Sequence, residues 1–137
     1  MMKKVILLIR EIQFQRSKQR IFAMDENNTV VADYPCSDSF ISDGGRHESL
    51  PNGTYYDVSA EITNGCYGDA YGSFYITTGD PRGRDIHGGG TGLDDPYEDY
   101  QKLIPTLGCL RMHNKDGVEL SQMIINSGNS VILTVVD

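Results

Sequence analysis

Nine of the fifteen glycines in this 137-residue chain fall between Gly65 and Gly92, and that crowding limits what the chain can become. Glycine loses more backbone freedom on folding than any other residue and weakens helix and strand interiors. The middle of the sequence therefore reads as turns and close-approach points around a loop-rich site, and a helical bundle is disfavoured.

Strands come from the flanking sequence. Val5 to Phe14, apolar and β-branched, predicts a first strand. Ile21 to Met24 and Thr29 to Tyr34 enclose the turn-forming quartet Asp25-Glu26-Asn27-Asn28 and predict a hairpin. Ser42 to Arg46 reads as a polar loop, and Pro51-Asn52-Gly53 as a turn entering a strand over Thr54 to Val58. Gly72 to Thr77 and Ser130 to Val136 predict two more strands. Only the C-terminal part reads as helix. Asn114 suits an N-cap, Asp116 the positive end of the dipole, and Gly128 the stop; Leu120, Met123 and Ile124 make one apolar stripe. No repeat or linker divides the sequence, so residues 1–137 are expected to form a single, mostly β domain with one or two short helices.

A net charge of −7 argues against nucleic acid, whose binding depends on Lys and Arg neutralising phosphates. The apolar run Val5-Ile6-Leu7-Leu8-Ile9 meets Arg10 too soon for an export leader, which needs roughly 7–15 apolar residues and a cleavage site. Neither a signal peptide nor membrane insertion is expected from it.

Three cysteines, Cys36, Cys66 and Cys109, cannot all pair with one another. Cys109 stands apart from the other two. It follows Gly108, and a glycine-flanked histidine, His87, lies 22 positions upstream. A nucleophilic thiol needs thiolate character, a base, and donors for the oxyanion. Gly108 gives the backbone freedom to aim N–H groups and to let a substrate approach; His87 can form a thiolate–imidazolium pair. Between them Pro96, Pro105 and the acidic Asp94, Asp95, Glu98 and Asp99 indicate a loop or lid that brings both groups to one mouth. Cys36 and Cys66 lack activating company and read as structural. His113 reads as an exposed or helix-capping residue. No paired ligand spacing supports a metal, and no cofactor is expected.

From Asp85 to Val135 the chain resembles the L,D-transpeptidase catalytic domain, also called YkuD-type. The likeness rests on Ile86-His87-Gly88, then Thr106-Leu107-Gly108-Cys109-Leu110-Arg111, Asn114-Lys115-Asp116, and Gly128-Asn129-Ser130-Val131. Upstream, Gln19-Arg20-Ile21-Phe22, Tyr34-Pro35-Cys36-Ser37 and Leu50-Pro51-Asn52-Gly53-Thr54-Tyr55 resemble its opening strands and Pro-turn. One departure stands out: Leu107 occupies the place where the family usually has histidine.

The resemblance implies a YkuD-like β-sandwich or barrel and a cysteine acyltransferase acting on peptidoglycan stem tetrapeptides. Cys109 would be nucleophile, His87 base, and the Gly88 carbonyl the group orienting the imidazole. Backbone N–H groups of Gly108, Cys109 and Leu110 would form the oxyanion hole. Arg111 would bind a substrate carboxylate or tie down the loop; Tyr71, Tyr75 and Tyr97 would line the groove. The acidic loop would be a solvated lid or would attract an amine. Product would be a cross-link, or a trimmed peptide if water resolves the thioester. Alternatives are a catalytically impaired wall-binding module, suggested by Leu107, or a secreted antibacterial effector with a delivery or immunity protein as partner. Without a leader, action in the periplasm or cell wall implies a dedicated export route.

Overall fold

The computed structural model describes residues 7–41, 44 and 48–137. Alternating burial builds the first sheet. In β1 (Glu11–Gln15) Ile12 and Phe14 point inward, and in β2 (Arg20–Met24) Ile21 and Ala23 do the same. β2 turns into β3 (Val30–Pro35) through the expected hairpin, where Asp25 Oδ1 accepts from the N–H groups of Asn27 (2.9 Å) and Thr29 (3.0 Å). The first strand begins at Glu11, later than the apolar run suggested; Val5 and Ile6 lie outside the described residues, as do all but Gly44 of the polar-loop segment 42–46.

β4 (Gly53–Tyr55) is shorter than expected, because it pairs only with β9 (Ile132–Val136) before the chain leaves for the second sheet. β9 also lies parallel to β1, which gives a five-stranded sheet in the order β3-β2-β1-β9-β4. The second sheet has the order β5-β6-β7-β8, from β5 (Ser59–Ile62), β6 (Phe74–Thr77), β7 (Ile86–His87) and β8 (Leu110–Arg111). β7 and β8 run parallel, with Ile86 opposite Leu110 and His87 opposite Arg111.

α1 (Asn114–Asn126) packs on β5 and β6 and contributes Leu120 and Ile124 to the core. Its cap differs from expectation. His113 is the N-cap residue, without a side-chain cap bond, and Asn114 is the first helical residue. The Asn114 side chain is instead drawn inward, where it satisfies backbone groups of three other segments. Asp116 sits in the first turn, and Gly128, at φ 70°, follows the last as expected. Among the described residues the fold is thus mostly β with one helix, and its core lies between the sheets and under α1.

Candidate active site

His87 enters from β7 and Cys109 from the residue just before β8, so parallel pairing sets the two chain segments side by side. Both side chains line one cavity of about 330 Å³, together with Tyr71, Leu107 and Arg111. Cys109 is partly exposed, and His87 is only 4% exposed. The segment between them carries no helix or strand.

The imidazole is fixed by its own chain. His87 Nδ1 lies 2.9 Å from the Gly88 carbonyl, which can only accept, so Nδ1 carries the proton and Nε2 keeps its lone pair. The same carbonyl accepts from Arg111 Nε at 3.3 Å. Tyr71 meets the ring edge-on at 5.0 Å and Tyr75 stacks against it at 6.1 Å.

The sulfur has a donor of its own. The Asp85 N–H points at Cys109 Sγ from 3.4 Å, and Sγ lies 4.0 Å from the Gly83 carbonyl. Asp85 is held in turn: its carboxylate accepts from Tyr75 Oη at 2.8 Å and from the Thr78 N–H at 2.9 Å. Among the described residues Sγ and the imidazole share no hydrogen bond. The expected resting thiolate–imidazolium pair is not what these surroundings favour. Burial, first, pushes the thiol up, outweighing the Asp85 N–H that favours its ionised form. Burial, again first, lowers the imidazole to about 4, with the Arg111 charge adding to the fall. Both groups rest neutral near pH 7, a state in which Nε2 can accept a proton.

The three expected oxyanion donors are not equivalent. The Gly108 N–H donates to Thr106 Oγ1 at 3.0 Å and the Leu110 N–H to the Asp85 carbonyl at 2.9 Å, so internal acceptors take both. Among the described residues the Cys109 N–H has no such partner. Gly108 is required for a different reason than substrate approach. Its φ is 122°, and a Cβ there would strike the carbonyl of Glu48.

Arg111 ties the loop through backbone carbonyls. Its guanidinium donates to Ile104 (2.7 Å), Pro105 (3.3 Å) and Ala70 (3.2 Å) besides Gly88. Tyr97 lies outside the cavity, bonded through Oη to Asp69 at 2.7 Å; Tyr75 stands behind the imidazole, and Tyr71 forms the wall. The acidic side chains at 94, 95, 98 and 99 are exposed and do not line it. Cys36 is buried, whereas Cys66 is exposed; all three cysteines are free. Among the described residues no cluster of His, Cys, Asp and Glu is fit to hold a metal, and no helix is long and apolar enough to cross a membrane.

The model of the L,D-transpeptidase catalytic domain, YkuD, matches residues 9–133. The chain belongs to that family. No curated protein matches the sequence. Among solved structures it is similar to the avibactam carbamoyl form of the enzyme Ldtfm (14% identity, TM-score 0.63, 96% of this chain and 50% of that one). A cysteine-to-serine variant of the Enterococcus faecium L,D-transpeptidase aligns at 14% identity and TM-score 0.62, over 93% of this chain and 49% of that one. The helical cell shape determining protein Pgp2 from Campylobacter jejuni does so at 15% and 0.61, over 93% and 47%. This L,D-transpeptidase domain thus shares their fold and spans about half the length of those chains.

Several residues that shape the domain's site escaped the sequence reading. Thr106 Oγ1 donates to the Cys109 carbonyl at 2.7 Å while accepting from Gly108, a local loop clamp that a hydroxyl three residues before the cysteine could have signalled. Gln101 is buried and donates to the carbonyls of Gly89 (3.3 Å) and Met112 (3.0 Å); nothing in its sequence neighbourhood announces this. Asp85 stood in view beside His87, but its role as donor to sulfur is a backbone property.

Proposed function

We propose that this chain is a cysteine acyltransferase acting on peptidoglycan stem tetrapeptides, at the bond between the third, L-centred diamino acid and the terminal D-alanine. One observation carries the reading: the Cys109 thiol and the imidazole of His87 line one cavity, with the Gly88 carbonyl holding Nδ1–H so that Nε2 is the base. In the first step Nε2 takes the thiol proton and sulfur attacks the substrate carbonyl. Charge then develops on that oxygen, and the Cys109 N–H is the donor left to meet it. The C–N bond breaks as the imidazolium returns its proton to the departing D-alanine amine. An acceptor amine resolves the thioester into a cross-link; water gives the trimmed tripeptide. Arg111 serves as a fixed positive charge that favours the thiolate, with its hydrogen bonds turned to the loop. Work on this substrate lies at the cell wall or in the periplasm.

Purified muropeptides incubated with the wild type and with Cys109→Ala, followed by mass spectrometry, test the reading. Wild type is expected to remove the terminal D-alanine, with or without new dimers, and the variant to do neither. Tetrapeptides left intact by both would end the assignment.

A second reading, a wall-binding module with impaired chemistry, draws on the neutral thiol bonded to Asp85 and on exposed Leu107 at the cavity wall. Alkylation mapped residue by residue separates the two, since Cys66 is also exposed. An enzyme loses turnover as Cys109 is modified; a binding module keeps its affinity for peptidoglycan. Use as an antibacterial effector would show as Cys109-dependent killing when the chain is delivered to a periplasm.

A further inference from the structure

Register across the second sheet places Glu61, Tyr75, His87 and Arg111 in one row, each directly opposite the next on neighbouring strands. Side chains so paired share a face of the sheet. The row runs from the proposed base out to the β5 edge, and at its outer end lies a second cavity, of about 370 Å³, lined by Glu61, Tyr67, Tyr71, Tyr75 and Thr77. Tyr71 is common to both cavities and forms the partition between them.

The aromatic walls stand nearly upright to one another. Tyr67 meets Tyr75 at 81° with centroids 5.8 Å apart, and Tyr71 meets Tyr75 at 64° and 5.6 Å. Rings arranged this way offer π-faces in more than one direction to a single guest, the geometry in which organic cations are recognised. An anion completes the lining: the Glu61 carboxylate accepts from Tyr67 Oη at 2.7 Å, which fixes its direction. With a net charge of −7 on the chain, the surrounding field also favours a cation.

We propose that this tyrosine cavity is a subsite for a primary ammonium on a flexible aliphatic stem, the side-chain end of the diamino acid in the acyl donor. The inference rests on the proposed function for its substrate and goes beyond it in assigning the site that reads that side chain. At about 4.8 Å per strand, β6 lies one strand and β5 two strands, roughly 10 Å, from the proposed base on β7. A four-carbon stem of roughly 6 Å, carried on the acyl carbon and Cα of a donor joined to Cys109, puts its ammonium roughly 9 Å from the sulfur, past Tyr71 at the near rings of the cage and facing Glu61 on its far wall. The exposed acidic loop at 94–99, outside both cavities, is then not needed to hold the amine.

Two measurements on the full chain test the subsite separately from the chemistry. The first follows ring signals of labelled Tyr67, Tyr71 and Tyr75 by NMR during titration with Nα-acetyl-lysine amide and with its Nε-acetylated counterpart. The charged probe is expected to shift these rings at millimolar concentration, and the neutral probe or Glu61→Gln to abolish the effect. Equal response to both probes, as a sugar-like or purely apolar site would give, overturns the proposal, and so does no response to either. The second compares D-alanine release from tetrapeptides with a free or an acetylated side-chain amine. KM should be about tenfold lower for the free amine. Tyr67→Leu and Glu61→Gln should erase that preference by raising KM for the free-amine peptide to that of the acetylated one. A preference that survives both substitutions also overturns the proposal. Charged-probe binding without release of D-alanine from any peptide would remove the proposed function and leave the subsite standing.

Discussion

His87 is buried to 4% exposure, and this loss of water, more than any charged neighbour, holds its imidazole at about 4 against an ordinary 6.5. The consequence for stability has a definite sign. Between those two values the unfolded chain binds a proton that the folded chain refuses, so stability rises with pH across the window. The contribution is fully present above pH 6.5 and is lost as pH falls to about 4, amounting to up to about 3 kcal/mol. Urea unfolding of wild type should show that fall between about pH 7 and pH 4, and His87→Gln should flatten most of it. Parallel curves for the two proteins would mean that the imidazole titrates normally. That Cys109 and His87 would line one cavity was legible in the sequence because glycines mark both. Their neutral resting state was not, since it follows from burial, which is set by residues distant along the chain. Nor was the loss of the Gly108 and Leu110 donors legible, because backbone acceptors such as the Asp85 carbonyl leave no compositional trace.

Elements whose period repeats several times were readable; those fixed by a single crossing were not. The β2–β3 hairpin and α1 announced themselves through turn chemistry and an apolar stripe. β5, with Ser59 and Glu61 on its open face, lies at a sheet edge and lacks the apolar content that marks a strand. β7 and β8 are two residues each, too short for any alternation, although they carry the candidate chemistry. Gly117 illustrates how tertiary contact overrides local preference. Glycine inside a helix normally costs about 1 kcal/mol relative to alanine, so Gly117→Ala ought to stabilise α1. Here a Cβ would run into the buried ring of Phe74 on β6. The substitution is therefore expected to destabilise by roughly 1–3 kcal/mol, as overpacked cores do. A rise in melting temperature would show that α1 and β6 are packed less closely than described.

At the scale of the whole molecule, α1, the loop before the cysteine and the glycine turn after His87 are joined through one buried amide. Asn114 Oδ1 accepts from the N–H groups of Ser73 (3.1 Å) and Gly89 (3.2 Å), while Nδ2 donates to the carbonyls of Pro96 (2.8 Å) and Glu98 (2.7 Å). Gln101 braces the same junction, its Oε1 accepting from the Asn114 N–H at 2.9 Å. These bonds hold the 94–101 segment against α1 and the turn after His87, so it moves away only if they break. Asn114→Ala would leave two donors and two acceptors without their partner, each worth about 1 kcal/mol or more when water cannot replace it. A loss of roughly 2–4 kcal/mol, or about 7–14 °C in melting temperature, is expected. Because Gly89 adjoins the carbonyl that orients the imidazole, the variant should also lose Cys109-dependent turnover at temperatures where it remains folded. Lys115→Ala, one residue away, exposed and outside the cavity, is the matched control and should keep both. If Asn114→Ala lowers stability yet leaves turnover intact in the folded state, the amide anchors the helix alone, and the site keeps its shape by other means.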